Sequence, residues 1–71
     1  MDELDAAVRV LREEGEALHW TVIQDLALRR GYLDPFTQPD VRRRLLAALS
    51  AAARSAEGPV ARADRGVYRL R

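Results

Sequence analysis

Seventy-one residues with no cysteine, one histidine, three prolines and four glycines leave room for a single small domain, held by packed side chains or self-association rather than by disulfides. Hydrophobic residues at 48% against 32% charged describe a globular chain, and no apolar run approaches the roughly 18 residues of a membrane span. The net charge of +1 is unevenly spread: residues 1–28 carry seven carboxylates and two arginines, residues 29–71 ten arginines and four carboxylates. Such a division points to a basic face for a polyanion, in a soluble cytoplasmic protein without membrane contact.

In chain order, Leu4, Ala7, Val8 and Leu11 recur at helical spacing and predict a first helix over 2–14. Acidic residues favour its first turn, and Gly15 fits a left-handed C-terminal cap. Glu16–Trp20 is too short for a helix; Leu18 and Trp20 alternate onto one face, as in a brief strand. Thr21 and Gln24 match a capping box, which predicts a second helix over 22–30 that buries Ile23, Leu26 and Ala27 and stops at Gly31. Thr37-Gln38-Pro39-Asp40 carries a second capping signal and opens a third helix over 38–56, ended by Gly58-Pro59. Val60–Ala63 and Val67–Leu70 flank Asp64-Arg65-Gly66 and predict a β-hairpin, with Tyr68 and Leu70 on one face and Val67, Arg69 and Arg71 on the other. The expected core is Leu11, Leu18, Trp20, Ile23, Leu26, Leu45, Leu49, Tyr68 and Leu70.

A lone hairpin is unstable in water, and the Leu18–Trp20 strand supplies a third partner for it. The expected fold is therefore mainly helical with a small β-sheet, the winged variant of helix-turn-helix, in one domain over 1–71. The same residues carry a resemblance. Leu11 to Gly15, Ala17-Leu18-His19, Ile23, Gly31, Val41 with Leu45, and the closing Gly66-Val67-Tyr68-Arg69-Leu70 resemble the HARE-type winged-helix family (HARE-HTH). That family includes the N-terminal domain of the bacterial RNA polymerase delta subunit, Asx-like Polycomb proteins and domains fused to restriction enzymes. The chain departs from its pattern at Val22, where an acidic residue is common, and in the split signal Thr37-Gln38-Pro39.

Catalysis has little to work with. His19 is the sole histidine, Ser50 and Ser55 lie in the third helix with no base beside them, and no glycine is left for a phosphate-cradling loop. No metal site, cofactor or enzymatic activity is expected, and His19 reads as an edge-strand residue. Glu13-Glu14-Gly15-Glu16 lacks the ligand spacing of a calcium loop and reads as a solvated helix end.

The strongest constellation lies on the third helix. At about 100° per residue from Val41, the positions 41, 45, 46, 49, 52 and 53 form one apolar arc. Arg43, Arg44, Ala47, Ser50, Ala51 and Arg54 fall opposite, while Arg42 sits on the apolar arc as a half-buried stem. Arginines beside small residues suit a major-groove helix, because guanidinium groups reach bases or phosphates and Ala and Ser let the backbone approach. Arg65 stands at the hairpin tip with Arg62, Arg69 and Arg71 beside it, placed for a phosphate or minor groove.

Two functions follow. One is a small transcription-related or nucleoid-associated factor that binds double-stranded DNA through Arg43, Arg44, Ala47, Ser50, Arg54, Arg62, Arg65 and Arg69. The other, which the resemblance to the polymerase delta subunit permits, is a module that docks on a protein of the transcription machinery. It would use the acidic face of the first helix, Val10 and the Ala-rich stretch Ala48–Ala56. The oligomeric state stays open, a homodimer included.

Overall fold

The computed structural model describes residues 1–71. Its elements run α1 (Glu3–Glu14), β1 (Leu18–His19), α2 (Trp20–Arg29), α3 (Val41–Arg54), β2 (Val60–Asp64) and β3 (Val67–Leu70). The three helices pack with a small antiparallel sheet of order β1-β3-β2.

Helix α1 begins where Asp2 Oδ1 accepts from the Asp5 N–H at 2.8 Å, and it ends at Gly15. There the backbone turns left-handed, at φ 70°, and the Gly15 N–H donates to the Leu11 carbonyl at 2.9 Å. Ala6, Ala7, Val10 and Leu11 form its buried stripe, and the two alanines allow close approach to α3. Val10 was expected on a docking face; it is wholly buried, because it continues the stripe one position around from Leu11.

The strand after α1 is shorter than predicted, and Trp20 already belongs to α2. Leu18 pairs with Tyr68 and His19 with Val67, and then the Trp20 N–H donates to the Gly66 carbonyl at 2.9 Å. That bond satisfies a first-turn amide through the hairpin, so the helix starts earlier than Thr21. The cap is His19: its Nδ1 accepts from the Thr21 N–H at 3.3 Å and lies 2.8 Å from the Thr21 hydroxyl. The expected capping box of Thr21 and Gln24 does not form, and Gln24 Oε1 is buried without a partner.

Helix α3 is shorter at both ends than the predicted 38–56. Thr37 and Gln38 turn back onto the Asp34 carbonyl, so Pro39 precedes the helix. Asp40 adopts φ 55° and makes no side-chain cap. At the far end Ser55 turns extended, at φ −89° and ψ 125°, and its N–H donates to the Ala52 carbonyl at 3.2 Å. The Arg71 guanidinium donates to Ser55 O at 2.8 Å, Gly58 O at 2.9 Å, Val60 O at 2.9 Å and Ala53 O at 3.4 Å, which ties the exit of α3 to the start of β2.

The hairpin forms as predicted, each strand nearly to its expected end. Val60, Ala61 and Arg62 face Leu70, Arg69 and Tyr68, and the register slips at Ala63, the extra residue of a bulge. Gly66 needs its missing side chain twice over. Its φ is 70°, and a Cβ there would lie 2.8 Å from His19 Nε2.

Twelve residues from every layer make one buried cluster, with Leu11, Ile23, Leu45, Leu49, Val10 and Val60 its largest fully buried members. Leu18, Trp20, Leu26 and Leu70 pack on that cluster but stay half-buried, short of the burial expected for them. They occupy the rims of a chain too small to enclose every large side chain. Leu33 takes a core place from the loop after Gly31, fixed by its N–H and that of Tyr32 on the Ala27 carbonyl.

Candidate nucleic-acid interface

The two faces of α3 separate as the periodicity requires. Val41, Leu45 and Leu49 are buried, whereas Arg43, Arg44, Ala47, Ala51 and Arg54 are exposed and Ser50 is half-buried between them. Arg54 Nη1 donates to Ser50 Oγ at 3.1 Å, so these two predicted residues share one polar patch. Arg43 reaches Asp40 Oδ2 at 3.1 Å with both side chains mostly exposed, a loose pair that water competes for. Arg44 leans the other way, 3.5 Å from the Glu3 carboxylate, which also accepts from the Gln38 amide. Its charge is thus shared with α1.

Arg42 is not the half-buried stem that its helical angle implied. It is exposed, and its guanidinium stacks 5.4 Å from the centre of the Trp20 ring. At about 100° it lies inside the apolar arc, between Leu49 and Ala53, but it stands in the first turn of α3 and its side chain stays in solvent. Trp20 in turn meets the hairpin, since Gly66 packs against His19 and Trp20. Arg42, Trp20 and the Arg65-Gly66 turn therefore run continuously from the first turn of α3 to the hairpin. Sequence reasoning missed Arg42 and Trp20 as members of this surface. The only available signal was a tryptophan at the junction of strand and helix.

The hairpin arginines divide. Arg65 is exposed and its guanidinium has no protein partner; its backbone N–H donates to Asp64 Oδ1 at 2.7 Å, which shapes the turn. Arg62 stays near the same tip through the Asp64 carbonyl at 3.3 Å. Arg69 is exposed but stands apart from the tip, beside Arg12 and Glu16 in a groove at the C-terminal end of α1. Arg71 is withdrawn altogether by the carbonyls it binds, so it does not flank the tip as expected. A shallow depression of about 480 Å³, lined by Asp40, Arg42, Arg43 and Leu46, lies at the first turn of α3.

The acidic half behaves differently. Glu13 accepts from the Tyr32 hydroxyl and from Arg30 at 2.8 Å, and Arg30 also reaches Glu14 at 2.8 Å. The Tyr32 hydroxyl chiefly, helped by Arg30 and Arg9 against partial desolvation, holds the Glu13 carboxyl below the usual range. The same hydrogen bond raises the Tyr32 phenol, and Glu14 first, then Glu13, strengthens the protonated state of Arg30. His19 is exposed and serves as the α2 cap, and no three His, Cys, Asp or Glu side chains converge on a metal-sized site.

Comparison with family models, curated proteins and solved structures finds no match for this chain. No helix is long and apolar enough to cross a membrane.

Proposed function

We propose that the chain is a DNA-binding winged-helix domain, a small transcription-related or nucleoid-associated factor of the cytoplasm, related to the HARE-type family that its sequence resembles. Helix α3 lies in the major groove and the β2–β3 hairpin serves as a wing on the phosphate backbone. One observation carries this reading: from the exposed arginines of α3, Arg42 leads over Trp20 to the hairpin turn at Gly66, where the neighbouring Arg65 has no side-chain partner. Arg43, Arg54 and Arg65 are the phosphate or base contacts, with Ala47 and Ser50 as the points of close approach. Arg44 and Arg62 contribute at the margins, and Arg69 only through the general field.

A mobility-shift titration of a non-specific duplex at low and moderate salt tests the proposal. Binding that weakens steeply with salt, and that fades in an Arg43→Ala, Arg65→Ala double variant, supports it. Failure to bind at low salt sinks it. The protein-docking reading then takes its place, with the exposed acidic residues of α1 as the contact and without the buried Val10.

A further inference from the structure

Phe36 is 95% exposed, the most exposed large apolar side chain in the molecule. Hydration of a full aromatic ring is unfavourable, and this ring is not on a loose tail. Asp34 Oδ1 accepts the Phe36 N–H at 2.9 Å, and Gln38 Oε1 accepts the Asp34 N–H at 2.9 Å. The Gln38 amide then donates to the Met1 carbonyl at 2.8 Å and to Glu3 at 3.1 Å, which ties the loop to the N-terminal end of α1. A fixed aromatic knob results, with the Asp34 carboxylate at its base and the acidic first turn of α1 behind it. Phosphate would be repelled there, so DNA is a poor occupant for this ring.

The opposite end of α1 offers the complement. An open groove of about 360 Å³ lies between the C-terminal end of α1 and β3. Leu11, Ala17 and Leu70 give it an apolar floor, and Arg12 and Arg69 with Glu16 form its rim. Arg12 makes no ion pair within the chain, so its charge is free for a partner carboxylate. The twelve residues of α1 separate knob and groove by about 18 Å of helix, so the knob cannot fill the groove of its own copy.

We propose that this chain self-associates head to tail, Phe36 of one copy entering the Leu11–Ala17–Leu70 groove of the next while Asp34 faces Arg12. The contact uses two different patches, so it does not close on itself as a symmetric dimer does but adds copies in a row. A single apolar anchor with a charged rim makes it weak, a matter of high local concentration. DNA is not required, and failure of this contact leaves the DNA reading standing.

Sedimentation of the full chain from micromolar to millimolar concentration at low salt tests it. The average mass of the wild type is expected to rise continuously past the dimer. Phe36→Ala and Arg12→Glu should each remain monomeric with melting temperatures near the parent's, since both side chains are exposed. The decisive sample is their equimolar mixture. The intact knob of the Arg12→Glu copy fits the intact groove of the Phe36→Ala copy and nothing further can add, so a discrete heterodimer is expected. A wild type that stays monomeric at millimolar concentration overturns the proposal. So does association that survives Phe36→Ala, or a mixture that remains monomeric.

Discussion

The corner where α1 meets the end of α2 and the face formed by α3 and the hairpin both contain arginines, and they use them in opposite ways. At the first, Arg30 is held by two carboxylates at 2.8 Å, and Arg9 lies against the Tyr32 ring and near Glu13. These arginines join elements of the fold and have little charge left to offer. At the second, Arg43 has one loose partner, Arg54 only a hydroxyl, and Arg65 none. A cation whose partner is water or an exposed carboxylate can exchange it for phosphate at low cost. The contrast shows that a tally of arginines overstates a binding surface, because some of them are structural. Arg71 makes the point within the basic half itself.

The comparison assumes that both regions hang on one core, and the largest effect tests that assumption. Leu45→Ala is expected to cost about 2–5 kcal/mol, a large part of the stability of so small a domain. Thermal melting would read it, and a variant melting within a degree or two of the parent would place Leu45 outside the core. Next comes Arg71→Ala, which strips four carbonyls of a charged donor and is expected to cost about 1–3 kcal/mol. Its duplex binding should keep the parent's salt dependence; a changed slope would make Arg71 a phosphate contact after all.

A smaller effect belongs to the proposed DNA-binding face. With Arg43, Arg54 and Arg65 each neutralising about one phosphate, log affinity against log salt should fall with a slope of about −2.7. Arg65→Ala should remove about one unit of that slope and weaken all sequences alike. Arg30→Ala should leave the slope intact, and a loss there equal to that of Arg65 would erase the distinction between the two regions.

The smallest effect is one of pH. The folded-state pKa of Glu13 lies below its ordinary value of 4.5, so its stabilisation is present above that value and fades as pH falls through the lowered one. Tyr32 is raised, so its share is present below the ordinary phenol range and fades as pH rises through the raised value. Melting temperature measured against pH should therefore decline at both extremes. Tyr32→Phe should flatten both declines, and an unchanged acid limb would assign that decline to other carboxylates.

Much of this molecule is legible in its residues taken locally. Gly15, Gly31 and Gly66 stand at the expected turns because only glycine enters the left-handed region without strain, and the apolar spacing of α3 separates its faces correctly. Local signals fail where a distant segment competes for the same backbone group. The Gly66 carbonyl claims the Trp20 N–H and moves the start of α2, while Arg71 gathers the carbonyls of the turn that follows α3. Arg71 and Arg65 are alike in sequence, and neither periodicity nor composition separates them. Which arginine is spent on the fold depends on what lies within a few ångströms across the chain, and Phe36 stays in water because nothing folds over it. Spacing along the chain determines the elements and their buried faces, since each follows from the geometry of one helix or strand. The start of α2, the pairings of Arg30, Arg44 and Arg71 and the exposure of Phe36 were decided by packing, because each depends on what segments remote in sequence do.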